Sequence, residues 1–182
     1  MPAFLTFIAL FGLTAAFAGA AATAQNRAVD RAVAVTFDDL PATPAGVVAN
    51  DPASLDRMTR SLLGAVRKYN VPAVGFVNEG KLFLEGAGPA DAERRTRVLR
   101  LWLEAGLELG NHSYSHRDLN ATPLDQFEAD VIRGETITRK LVEVTGRKLQ
   151  YFRHPFLHVG RDLRQRRAFE AFLAARGYTV AP

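Results

Sequence analysis

Apolar positions along this chain keep two rhythms, and the rhythms alternate. Residues 32–37, Ala-Val-Ala-Val-Thr-Phe, form a continuous apolar and β-branched run of the kind that fills a strand buried on both faces. A loop rich in Pro and Gly follows over 40–50, and Asp51-Pro52 has the form of a helix cap with Pro at the first helical position. Leu55, Met58, Leu62, Val66 and Tyr69 recur at three-to-four spacing and give that helix one apolar stripe. The alternation then continues. A strand is predicted over 73–77, a helix over 91–105 stopped at Gly106, and a short strand over 107–109. Thr122-Pro123 opens a helix that carries Leu124, Phe127, Val131, Leu141 and Val142 and closes at Gly146. A fourth strand over 148–152, a helix holding Phe169, Phe172 and Leu173 up to Gly177, and a fifth strand from 178 complete the series. Trp102 and Phe127 fall on helical stripes and are expected in the core.

Strands alternating with helices imply parallel βα units, about five of them, in an α/β fold. An open parallel sheet stopping in its fifth strand leaves an unpaired edge, and a barrel needs further strands to close. The sequence shows no internal repeat and no second domain.

The first 24 residues stand apart. No side chain in 1–24 is charged, 4–17 is predominantly apolar, and the segment ends in small residues before Ala22-Thr23-Ala24-Gln25. That is the form of a cleavable export leader, and its apolar run is shorter than the ~20 residues a membrane span needs. The expected division is a leader over 1–24 and one domain over 25–182, placed outside the cell, in the periplasm or in the envelope. Membrane contact is expected only through the leader.

The 182 residues include no cysteine, which excludes disulfides and thiolate metal sites. The formal net charge of +4 lies wholly outside the leader. Its densest runs are Arg94, Arg95, Arg97 and Arg100, then Arg161, Arg164, Arg166 and Arg167. Both fall in predicted helices and read as solvated faces. No aromatic residues interleave with them, so nucleic acid is not an expected partner.

In parallel α/β proteins reactive groups gather where strands end. Three polar clusters occupy such places here: Asp38-Asp39 after the first strand, Asn111-His112-Ser113-Tyr114-Ser115-His116 after the third, and Arg153-His154-Pro155-Phe156 after the fourth. Taken singly, an Asp pair is a turn or cap, a His pair decorates a surface, and an Arg makes a salt bridge. Their shared position makes the case. Histidines four apart on one side of a helical turn can share a metal ion, with a carboxylate from elsewhere as third ligand. A divalent ion there makes water nucleophilic near neutral pH, and the second Asp can serve as base, oriented by Arg153. Pro155 separates His154 from His158 and places both in a loop, with His158 toward the cleft.

The three clusters, in this order, resemble the polysaccharide deacetylase family, carbohydrate esterase family 4, whose catalytic unit is the NodB homology domain. Thr36-Phe37-Asp38-Asp39 matches its first motif, His112-Ser113-Tyr114-Ser115-His116 its second, and Arg153-His154-Pro155-Phe156 its third. The resemblance covers roughly 32–182. It implies a distorted, incomplete (β/α) barrel, with Asp38 as catalytic base and Arg153 holding it. It further implies Asp39, His112 and His116 as ligands of a divalent metal, zinc before cobalt or another ion. Pro155, Phe156 and His158 would line the substrate and oxyanion side. The implied reaction is hydrolysis of N-acetyl groups on a glycan such as chitooligosaccharide or peptidoglycan, by a protein that is a monomer when complete.

The family's two later motifs, one with Asp and Trp and one with Leu-x-x-His, have no counterpart before Pro182, and neither His154 nor His158 is placed to replace the missing acid. The expectation is a truncated chain with metal binding partly intact and turnover impaired. Two other readings stand beside it: a non-catalytic glycan-binding remnant, and a non-haem iron oxygenase, which also uses two histidines and a carboxylate but on an antiparallel scaffold.

Overall fold

The computed structural model describes residues 33–42 and 51–182. The expected leader, the domain start at 25 and most of the 40–50 loop lie outside the described residues. Among the described residues five strands and five helices follow in the order β1 (Val35–Leu40), α1 (Pro52–Lys68), β2 (Ala73–Val77), α2 (Pro89–Glu104), β3 (Glu108–Asn111), α3 (Leu124–Arg133), α4 (Thr136–Val144), β4 (Tyr151–Phe152), α5 (Leu163–Ala175) and β5 (Thr179–Val180). Single 3-10 turns follow β2 at Glu79–Leu82 and β4 at Pro155–Leu157. Among the described residues no helix is long and apolar enough to cross a membrane.

All strand pairs are parallel, and the sheet order is β1-β2-β3-β4-β5. A doubly wound sheet reverses direction at a switch point; a sheet laid down in sequence order has none, as in barrels. Among the described residues β1 and β5 form the two edges, and the sheet does not close. This parallel scaffold differs from the antiparallel one an oxygenase of the kind considered above would use.

Register matters most for the site. Leu40 pairs with Val77, Val77 with Asn111, and Asn111 with Phe152, so these four residues form one row across the sheet. Beyond that row, at the C-terminal ends of the strands, lie the loops with most of the chemistry-bearing side chains.

Side chains alternate faces along β2. Gly75 faces α2, where an added Cβ would stand 3.3 Å from the fully buried Trp102. Phe76 faces the other way, over Gly110, whose missing side chain leaves room for the ring. A second aromatic group joins Phe127, Phe152 and Phe169, with edge-on centroids 5.1 and 5.5 Å apart. Both Trp102 and Phe127 are in the core, as expected.

The structure corrects several sequence expectations. The first strand begins at Val35 and runs through the Asp pair, and as the sheet edge it is half-buried rather than buried on both faces. On α1 the buried stripe is Leu55, Thr59, Leu63 and Val66, whereas Met58 and Tyr69 are exposed, because the helix turns a neighbouring line of residues to the core. Asp51 caps this helix as expected, accepting from Ala53 N and Ser54 N. Arg95 is not on a solvated face: it is 2% exposed and its Nε donates to Asp91 at 2.7 Å. The long helix expected from Leu124 to Val142 is two helices, broken at Gly134-Glu135.

Candidate metal centre

Two consecutive Asp residues in a regular strand would point to opposite faces. Here the β1–β2 register slips between Phe37 and Leu40, and Asp39 adopts a left-handed backbone with φ 70°. Such a bulge re-aims side chains at strand ends. Asp38 Oδ2 then lies 3.4 Å from Arg153 Nη1. Asp39 Oδ1 lies 3.5 Å from His116 Nε2 and 2.7 Å from Lys81 Nζ.

The histidine pair comes together without a helical turn, which corrects the sequence reading. His112 and His116 lie in an irregular loop in which Ser113 (φ 65°) and His116 (φ 54°) are left-handed. Three neighbours hold it. Asn111 Oδ1 accepts from Ser113 N at 2.7 Å, and Ser113 Oγ accepts from His116 N at 3.1 Å. From the end of β2, Val77 O accepts from His112 N at 2.9 Å, and Asn78 Nδ2 donates to His112 O. From α3, Asp130 Oδ2 accepts from Tyr114 N at 3.2 Å and Ser115 N at 3.0 Å. The helix break at Gly134 also has its reason here: a Cβ on that residue would stand 2.4 Å from the carbonyl carbon of Ser113.

Arg153 works at two places. Its guanidinium faces Asp38, lies 5.2 Å above the Phe76 ring, and donates to Pro182 O. Its own carbonyl oxygen lies 2.8 Å from His112 Nδ1. A carbonyl only accepts, so the His112 proton sits on Nδ1 and Nε2 keeps its lone pair for a ligand role. Burial pushes His112 below the ordinary histidine pKa, against the pull of the Arg153 carbonyl and Asp38, which favours the neutral ring a metal needs.

Asp39, His112 and His116 each offer one ligand atom, and these atoms lie within 4.8 Å of one another. Asp39 Oδ1 is shielded from solvent, and its contact with Lys81 is an ion pair, so lone-pair capacity remains on an atom that faces the histidines. Two imidazoles and one carboxylate are a donor set for zinc, cobalt or iron, with positions left for water and substrate. The residues present fit a divalent metal.

The comparisons with known proteins bear on this geometry. Residues 25–171 match the family model for polysaccharide deacetylase. The chain belongs to the polysaccharide deacetylase family. No curated protein matches it in sequence. Among solved structures, a family 4 carbohydrate esterase from Streptomyces lividans in complex with acetate is 22% identical with a TM-score of 0.55, over 82% of this chain and 61% of that one. The chitin deacetylase from the fungal pathogen Colletotrichum lindemuthianum is 24% identical with a TM-score of 0.55, over 81% and 53%. A family 4 pseudoenzyme from Bacillus anthracis is 15% identical with a TM-score of 0.53, over 81% and 41%. At these identities the likeness is one of fold. The chain spans less than two thirds of each of these proteins.

Within this deacetylase-family fold, Asp38, Asp39, His112, His116 and Arg153 lie close together. Phe156 joins them: its backbone is left-handed at φ 57° and its exposed ring lies edge-on to His116, 4.5 Å between centroids. Pro155 is buried and starts the turn that carries Phe156. His158 is exposed and bound through Nδ1 to Asp118 Oδ1 at 2.8 Å, beside the Phe156 ring at 5.9 Å. That contact ties the β4 loop to the histidine loop. His154 turns inward between Phe152 and Phe169, and burial pushes it down to about 4.

Sequence reasoning passed over the end of β2. Asn78, Glu79 and Lys81 follow that strand as the three recognised clusters follow theirs, and the same rule of strand ends would have found them. Glu79 is buried, and its Oε1 accepts from Ile137 N and Thr138 N at the start of α4. Burial raises its pKa, against those two donors. Lys81 reaches the metal centre itself, and burial pushes its ammonium below the usual lysine range while Asp39 pulls it back up.

Proposed function

We propose that this protein is a metal-dependent hydrolase that removes acetyl groups from the nitrogen of N-acetylated glycan sugars, exported by the leader over 1–24 to act in the envelope or beyond it. The observation that carries the reading is the convergence of Asp39, His112 and His116 with a second carboxylate, Asp38, held alongside by Arg153. Zinc suits the ligand set best, and cobalt or another divalent ion can take its place.

Asp39, His112 and His116 would hold a divalent ion, which would supply Lewis-acid polarisation of an acetamide carbonyl and a lowered pKa for water near neutral pH. The residues of the chain do the rest. Asp38 Oδ2, turned by Arg153, accepts the proton of the attacking water. Water oxygen bonds to the carbonyl carbon first; the tetrahedral adduct then collapses with cleavage of the C–N bond as the proton held at Asp38 passes to the departing nitrogen, giving acetate and a free amine. Arg153 couples the two halves of the site, since its side chain orients the base and its carbonyl fixes the His112 tautomer. Pro155 sets the turn that lays the Phe156 ring beside His116, where an apolar edge can receive a sugar ring or an acetyl methyl group. His158, fixed by Asp118, lines the same side.

The test is acetate release from chitooligosaccharide and from peptidoglycan by the metal-loaded protein. The expected result is release that a chelator stops and added zinc or cobalt restores. A folded, metal-loaded protein that frees no acetate from either polymer, yet binds them in the presence of chelator, would overturn the reading in favour of a glycan-binding module.

A further inference from the structure

Lys81 stands where no deacetylation step calls for a cation. Its Nζ lies 2.7 Å from Asp39 Oδ1, the same oxygen that faces His116 Nε2 at 3.5 Å. The lysine has little freedom to leave. Its side chain is 20% exposed, and its backbone belongs to the turn Glu79–Leu82 that follows β2. Lys81 N donates to Asn78 O at 3.0 Å, and Gly80 N donates to Tyr114 O at 3.0 Å, so that turn is pinned to the histidine loop. A Cβ at Gly80 would come within 2.5 Å of the Tyr114 carbonyl oxygen, so the close approach is specific to glycine.

We infer that Lys81 is a built-in competitor for the metal: its ammonium neutralises Asp39 when no ion is bound and weakens the grip of the site on a divalent cation. The carboxylate that a dication needs is already engaged by a fixed positive charge, so the ion must either displace the ammonium or bear its repulsion. At a few ångströms, even in a strongly screened medium, that penalty corresponds to about tenfold or more in affinity. The site is thereby set to load and release metal according to its supply, instead of holding one ion permanently. This inference rests on the metal-site reading proposed above.

The experiment is a titration of the full chain with zinc against a chromophoric chelator, and with cobalt followed by its visible absorption. It compares the wild type with Lys81→Met, Lys81→Gln, Lys81→Arg and Asp39→Ala. Lys81→Met and Lys81→Gln should bind about tenfold more tightly or better, and Lys81→Arg should not. Without metal, Lys81→Met leaves Asp39 unpaired, so its melting temperature should fall below that of the wild type and rise further when zinc is added. Wild-type binding that Asp39→Ala abolishes, with Lys81→Met folded but no tighter, would overturn the competitor role and leave the metal site standing. Binding that survives Asp39→Ala, or is absent from the wild type and both neutral Lys81 variants, would remove the site and this inference with it.

Discussion

Asp38 and Asp39 are neighbours in sequence with different surroundings: one faces a guanidinium, the other two imidazoles and an ammonium. The separation follows from the slipped register of β1 and the left-handed backbone of Asp39. Their substitutions should therefore separate too. Asp39→Asn should abolish zinc binding, measured by equilibrium dialysis. Asp38→Asn should keep it while lowering acetate release by about 10²–10⁴-fold, the usual worth of a positioned base. Equal loss of metal in both variants would contradict the division of labour. His154 gives a second prediction at this scale. Burial between Phe152 and Phe169 lowers its pKa to about 4, below the ordinary value of 6.5. The unfolded chain then binds the proton more readily, so the stabilising effect is full above 6.5 and lost as pH falls toward 4. The loss is about 3 kcal/mol. In chelator, His154→Phe should flatten the dependence of the urea midpoint on pH between 6.5 and 4; an unchanged slope would contradict it.

The histidine loop and the helices behind it form one unit. Asp130 at the end of α3, Gly134 in the break, and Asn111 at the end of β3 all meet the backbone of 112–115. Gly134→Ala forces a Cβ into the Ser113 backbone and should cost about 1–3 kcal/mol, as overpacking does. Its distinctive effect should be a parallel loss of zinc affinity, read by calorimetry, because the displaced segment holds both histidines. A destabilised variant with wild-type affinity would show that the break serves folding alone. This unit also marks the limit of what the sequence displayed. The apolar period ran unbroken from Leu124 to Val142, and nothing local announces a break whose cause is the backbone of Ser113, 21 positions earlier. The carboxylate that starts the second helix comes from Glu79, across the fold. Likewise His-x-x-x-His suggested a helical turn, since spacing alone cannot distinguish a helix from a loop folded by three outside partners.

At the scale of the molecule, alternating strand and helix patterns foretold the parallel sheet, and strand ends foretold where the chemistry would gather. The sequential strand order and the row Leu40–Val77–Asn111–Phe152 were not legible, because register depends on contacts between distant segments. Lys81 escaped notice for a related reason: its meaning lies in a contact with Asp39, 42 positions earlier. That the site is assembled from β1, β2, β3 and β4 together has a consequence for the whole fold. An ion bound there would tie the end of β1 to the loop after β3, and at a hundredfold excess over its dissociation constant it should add about 2.7 kcal/mol to stability. The most direct measurement is X-ray absorption at the zinc edge on the protein equilibrated with one equivalent of zinc. The expected spectrum shows zinc bound by two imidazole ligands and oxygen at about 2.0–2.2 Å, and the imidazole signature vanishes in the His112→Ala, His116→Ala double variant. Zinc retained with its imidazole ligands in that variant, or no zinc held by the wild type at all, would contradict the assignment of this centre.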